Sequence, residues 1–237
     1  LGFATYVREQ FNILAGHGDV RNRREFQELF SLLTVALGPL GEKDIESILN
    51  LSSWSLYALP WPIVRWLNIQ DIQGRKTYKF IHPLLANVFA EILGRESIDI
   101  ENRLLRYCEN WKTHQSLFTL QYYIPHLLKA NRYQDAINLV VDNKEWMIAK
   151  RSKFKNDKSL VQDIDLLVRF IQEQKIDNWF QSIVQLSALN ETILKRASSF
   201  QEIDVSILIY QGRLEDAMEI VDAQITFNNL LTVCTTF

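Results

Sequence analysis

Tyr78-Lys79-Phe80-Ile81-His82-Pro83-Leu84-Leu85-Ala86-Asn87-Val88-Phe89-Ala90-Glu91-Ile92-Leu93 is the stretch where one hydrophobic period gives way to another. Up to Ile81 the apolar residues alternate as a strand requires, and from Leu84 they recur at 84, 85, 88, 89, 92 and 93, the spacing of one helix face. Pro83 stands at the changeover, where its fixed φ suits a first helical turn and its missing N–H costs nothing. Each large apolar side chain of the stripe contributes roughly 1.5–3 kcal/mol when buried. The stripe as a whole is worth on the order of 10 kcal/mol as an upper bound, comparable to the net stability of a domain. It therefore has to pack against the segments on both sides of it.

Working back from that junction, the chain reads as helices closed by a hairpin. Phe3, Tyr6, Val7, Gln10, Phe11 and Leu14 predict an amphipathic helix over 3–14 that Gly16 and Gly18 end, followed by a loop from Gly16 to Arg24 holding Arg21, Arg23 and Arg24. Phe26, Leu29, Phe30, Leu33 and Leu37 predict a second helix stopped by Gly38-Pro39, and Leu40 to Leu49 a third with acidic residues in its first turn. A further helical piece is expected within 52–67, broken by Pro60 and restarted at Pro62. Leu67–Ile69 and Thr77–Ile81 then form two strands around Gln73-Gly74-Arg75-Lys76, with Gly74 supplying positive φ. Helices followed by a β-hairpin are the pattern of a winged helix.

Beyond the junction no strand signal is left. Helices are expected at 100–113, 115–130, 134–142, 145–153, 159–174, 177–196, 202–211, 214–223 and 226–237. Arg132-Tyr133-Gln134-Asp135-Ala136-Ile137-Asn138-Leu139-Val140 aligns without gaps on Arg213-Leu214-Glu215-Asp216-Ala217-Met218-Glu219-Ile220-Val221, with a small residue, Ala136 or Ala217, where a partner helix would approach. The separation is roughly two repeats of tetratricopeptide or HEAT size. The expected fold is mainly α: an N-terminal helix and winged-helix domain over 1–98, then an α-solenoid of tetratricopeptide-like helical hairpins over 99–237. Leu1 is not an initiator Met, and the apolar pattern of Phe227, Leu230, Leu231, Val233, Cys234 and Phe237 breaks off without a cap. The sequence is accordingly read as an interior piece of a longer polypeptide, truncated within its repeat domain.

Composition narrows the function. The 26 basic and 28 acidic side chains leave a net charge of -2, without the bulk attraction typical of nucleic-acid binders. The piece at 52–66 offers Arg65 among Trp54, Tyr57, Trp61 and Trp66, a surface for packing protein rather than for reading bases. Cys108 and Cys234 lie among apolar residues and read as buried thiols, nothing points to an oxidising compartment, and a cytosolic protein is expected. No apolar run reaches the roughly 18 residues of a membrane span. His17, His82, His114 and His126 lack metal-ligand spacing, and no phosphate loop, nucleophile elbow or catalytic set is present, so neither a metal nor a catalytic site is expected. Lys150, Arg151, Lys153 and Lys155 form a local basic run, either a solvated helix end or a surface for an anionic partner.

Several loose motifs in order resemble a known family. These are Gly2-Phe3-x-x-Tyr6-x-x-Glu9-x-Phe11, Pro39-Leu40, Tyr78-x-Phe80-x-His82, Tyr123-Ile124-x-His126-Leu127-Leu128-x-Ala130-x-Arg132, Trp146-x-x-Ala149-Lys150 and Asp163-x-Asp165-Leu166. Over about residues 1–170 the chain resembles STAND-type signalling NTPases, in which a NACHT or NB-ARC nucleotide-binding module precedes a winged helix and a helical or propeller sensor. The resemblance implies ADP or ATP in an intact parent, and none held by this segment, which lacks the P-loop. In the NB-ARC branch a Met-His-Asp motif at the hairpin-to-helix junction sets its His on the β-phosphate of ADP. Here the junction reads Ile81-His82-Pro83: His82 takes the His position, while Pro83 replaces the Asp. His82 is thus either a nucleotide sensor in the parent or a structural junction histidine. The implied role is non-catalytic: relaying nucleotide state and binding a protein partner or the chain's own upstream NTPase domain. A DNA-binding winged-helix regulator and a free-standing tetratricopeptide-like adaptor are the alternatives.

Overall fold

A computed structural model describes residues 2–17, 20–50, 61–72, 74–174, 179–198 and 218. Among them are eleven helices and a three-stranded antiparallel sheet. In order these are α1 (Phe3–His17), α2 (Val20–Val35), β1 (Leu40–Gly41), α3 (Glu42–Leu49), α4 (Trp61–Val64), β2 (Leu67–Ile72), β3 (Arg75–Phe80) and α5 (Pro83–Glu109). They continue with α6 (Trp111–His114), α7 (Leu117–Lys129), α8 (Tyr133–Val141), α9 (Lys144–Phe154), α10 (Lys158–Gln174) and α11 (Trp179–Ser198). The chain divides into two compact units, Leu1–His126 and Leu127–Phe237. The helices at 100–126 therefore belong to the first unit. The helices expected at 202–237, the 213–221 copy of the internal echo and Cys234 lie outside the described residues, apart from Met218.

The first unit is built on the junction stretch. β3 lies between its partners in the order β1-β3-β2, with Leu67 opposite Phe80, Ile69 opposite Tyr78, and Leu40 also opposite Tyr78. Tyr78 and Phe80 are buried while Lys79 between them is exposed, the alternation of a half-buried strand. At Pro83 the period changes and α5 begins, with Pro83 in its first turn. Leu85, Val88, Phe89 and Leu93 are buried, whereas Leu84 is exposed, so the helix spends a narrower stripe than the six apolar positions offered. α2 packs along α5, which also meets α1, α3 and β3. Their contact is an aromatic cluster. Phe30 stacks on Phe89 at 4.6 Å and on Phe80 at 5.8 Å; Phe11 meets Phe30 and Phe89 edge-on at 5.9 and 5.4 Å; Trp66 closes it at 5.6 Å from Phe89. Offset and edge-on ring pairs add roughly 0.5–1.5 kcal/mol each to their burial, so this cluster holds helices and sheet together.

Several boundaries differ from those expected. α1 continues through Gly16 to His17, and α2 starts at Val20, so Arg21, Arg23 and Arg24 stand in a helix and not in a loop. Leu40 and Gly41 form a strand instead of opening α3, because their backbone pairs with Tyr78 and Thr77. The hairpin strands run to Ile72 and from Arg75, and Gly74 between them has φ +75°, as its turn requires. α5 extends to Glu109 but bends at Gly94, whose φ is 23° and ψ -91°. The expected helix at 100–113 is thus the end of α5 followed by α6. Of the piece expected at 52–67, residues 51–60 lie outside the described set, and α4 covers the restart at Pro62.

The second unit is a set of helices around α10, which packs against α8, α9 and α11; α8 also meets α9 and α11. Ile137, Val140, Trp146, Leu160, Ile164, Leu167, Ile171, Leu186 and Ile193 form its core. Ala136 is fully buried, as expected of a small residue where a neighbouring helix approaches. No helix among the described residues is long and apolar enough to cross a membrane.

Candidate functional site

His82 is the N-cap of α5. Its backbone is extended (φ -139°, ψ 136°), and its Nδ1 accepts a hydrogen bond from the Leu84 N–H at 3.1 Å. That bond satisfies one of the donors a helix start leaves open. The reason is local: a strand ends at Phe80, Pro83 starts a helix without a donor of its own, and the side chain between them caps the turn. An accepting Nδ1 puts the proton of the neutral ring on Nε2. The ring is exposed, so its second nitrogen is a hydrogen-bond donor on the surface beside the positive end of a helix.

A concavity lies elsewhere in the same unit. The start of α2, the end of α3 and the second half of α5 enclose a cleft of about 1080 Å³. Arg24, Arg103 and Arg106 face it together with Glu25, Glu28 and Asp99. Glu28 binds Arg24 at 3.2 Å and Arg103 at 3.6 Å, and Arg103 also donates to the Ile48 carbonyl at 3.0 Å. Matching numbers of opposite charges give the cleft no net charge, and Glu28 already pairs with Arg24 and Arg103, which makes it a poor trap for phosphate or nucleic acid.

Beside the cleft runs a polar network that sequence spacing did not disclose. The Asp44 carboxylate accepts the Gly41 N–H at 3.0 Å and the Tyr107 hydroxyl at 2.5 Å. The Tyr107 ring stacks on His114 at 4.1 Å, with the planes 3° apart. Burial, and then the neighbouring Asp44 charge, holds the Tyr107 hydroxyl well above the usual phenol range, so it stays a donor. Cys108 is fully buried, as expected; burial pushes its thiol up to about 12 against the hydrogen bond from Thr119, which leaves it unreactive. These groups tie α3 to α5 and α6 and are occupied with one another. The acidic residues expected at the start of α3 are there, but Asp44 caps the helix and binds Tyr107 in addition to meeting the dipole.

The basic run is split by the structure. Lys150 is 1% exposed and is no part of a surface patch: on α9 it points inward and forms an ion pair with Asp163 of α10, which is 5% exposed. Its ammonium lies 5.5 Å from the centre of the Trp146 ring. Burial lowers the Lys150 ammonium pKa against the pull of Asp163 and raises the Asp163 carboxyl to about 6 against the pull of Lys150. Desolvation thus outweighs the mutual attraction on both sides. Arg151 pairs with Asp157 in the turn after α9. Lys155 is exposed in the left-handed position that ends α9 (φ 61°), where its N–H donates to the Arg151 carbonyl at 2.8 Å, and Lys153 is half-buried. The signal for Lys150 lay in its spacing from Trp146, four residues earlier on the same helix face; nothing local indicated Asp163 as its partner.

Among the described residues no group of three or more His, Cys, Asp or Glu is placed to hold a metal ion. Comparison with known protein families, curated proteins and solved structures finds no significant match.

Proposed function

We propose that this chain is the non-catalytic regulatory segment of a STAND-like signalling NTPase: a winged helix relaying nucleotide state, joined to tetratricopeptide-like helical repeats that bind a protein partner. The observation that carries this reading is the junction. The order α2, β1, α3, α4, β2, β3, with β3 between β1 and β2, supports a winged-helix reading, and the hairpin leads directly into α5 through His82. An exposed imidazole with Nδ1 occupied by the Leu84 N–H offers Nε2–H to a phosphate oxygen. Phosphate would be favoured there by the partial positive charge of the helix start. In this reading the P-loop belongs to another part of the parent, and ADP holds the resting arrangement by bridging it to His82. For the repeats, Lys153 and Lys155, with Lys158 at the start of α10, supply the cationic side chains for an anionic protein surface; Lys150 and Arg151 have their charges matched internally.

Two measurements test it. Calorimetry on this chain should show no ADP binding at low micromolar concentration; tight binding would overturn the division of labour. In the parent, His82→Ala should speed ADP loss and raise basal signalling. Unchanged ADP retention in a well-folded variant would assign His82 to helix capping alone.

A further inference from the structure

Ile81, His82, Pro83 and Leu84 are all exposed, so burial against other elements does not set the direction of the His82 imidazole. Its direction has to come from the backbone. On one side, the Ile81 N–H donates to the Trp66 carbonyl at 2.9 Å, which carries the β2–β3 ladder one residue past the Leu67 and Phe80 pair and fixes Ile81, not His82. On the other, the His82 carbonyl accepts the Leu85 N–H at 3.0 Å, a bond of the first turn of α5. His82 thus stands where strand and helix meet, and Pro83 decides between them. A proline ring clashes with a preceding residue in the helical region and drives it to φ of about -120° and ψ of about +120 to +160°. His82 is there, at φ -139° and ψ 136°. From that extended backbone the side chain stays outside the helix and reaches back to the Leu84 N–H. Histidine is not among the residues that favour such a cap; Ser, Thr, Asp and Asn cap with a short oxygen. What imidazole adds is a second nitrogen, fixed as a donor once the first is engaged.

We propose that Pro83 is a positioning residue for His82: by excluding helical backbone at position 82 it keeps Nδ1 on the Leu84 N–H and presents Nε2–H outward. This rests on the reading of His82 as the sensor of an ADP phosphate, and it gives a task to the proline that stands where the family motif has Asp. The group recognised is then a hydrogen-bond acceptor, as a phosphate oxygen is. Without Pro83, α5 can start a residue earlier, which carries the imidazole off the Leu84 N–H and frees both the ring and its tautomer.

The test is made by NMR on the full chain without nucleotide, through the nitrogen–nitrogen scalar coupling across the hydrogen bond from the Leu84 N–H to His82 Nδ1. Wild type should show the coupling, with ring nitrogen shifts of the Nε2–H tautomer. Pro83→Ala should lose most of it and shift towards a tautomer mixture, and so should Pro83→Glu, whose carboxylate suits a first helical turn. A coupling that is absent in wild type, or unchanged in the two variants, overturns the proposal. So does failure of both variants to fold, which would make Pro83 a residue of fold stability. In the parent, Pro83→Ala should speed ADP release several-fold, by less than His82→Ala does. Release unchanged in both variants, with the coupling lost in Pro83→Ala, would overturn the nucleotide reading and uphold the positioning of His82 by Pro83.

Discussion

Lys150 is where residue-level chemistry departs most from residue-level expectation. A lysine in a basic run is normally solvated, yet this one is buried beside Trp146 and answered by Asp163. Removing one member of such a pair strands the other charge. Lys150→Ala should therefore cost about 3–5 kcal/mol, read as a lower urea midpoint, whereas Lys155→Ala at its exposed position should change stability by less than about 0.5 kcal/mol. The pair also has a pH signature. Burial raises the Asp163 carboxyl from 3.8 to about 6 in the folded protein, so between those values the folded state binds more protons than the unfolded one. Its stabilising contribution is then fully present below about pH 4 and is lost as pH rises through about 6. Urea midpoints at pH 4 to 7 should show that fall in the wild type relative to Asp163→Asn; a difference rising with pH would mean that pairing outweighs burial.

At the scale of elements, α5 determines how the first unit is put together. Its first half carries Phe89 into the aromatic cluster, and its second half delivers Arg103 to the Ile48 carbonyl and Tyr107 to Asp44. Gly94 makes both possible, since its φ of 23° with ψ -91° is a backbone state open only to glycine. A Cβ there would meet no neighbour, so Gly94→Ala isolates the backbone effect. It should destabilise by roughly 1–3 kcal/mol, by strain or by straightening α5 away from α3, with the loss measured by urea denaturation. Much of this element was legible: the change of period at Pro83 and the stripe from Leu85 to Leu93 follow from neighbours in sequence, whereas the cap that His82 places on Leu84 did not. The bend was not, because a glycine within a helical pattern signals only a weak point. Nor was β1, whose two residues are too few to show a period and are a strand only because Tyr78 and Thr77 lie across from them.

For the whole molecule, charge is the property that bears most directly on partners. With a net charge of -2 and a cleft whose arginines face as many carboxylates, the chain lacks the field that drives counterion release on DNA. A gel shift should show only weak binding, without sequence preference; affinity that falls steeply with salt and varies with sequence would move the winged-helix reading to DNA. The sequence by itself determined the helical character of most of the chain, the hairpin around Gly74 and the start of α5 at Pro83, since each depends on residues a few positions apart. Tertiary structure decided which of those residues are buried and with what. Asp44 found Tyr107, Phe30 found Phe89, and Lys150 turned inward to Asp163. The physical reason is that burying a polar or charged group is favourable only with a partner in place, and those partners come from elements that sequence patterns do not place against one another.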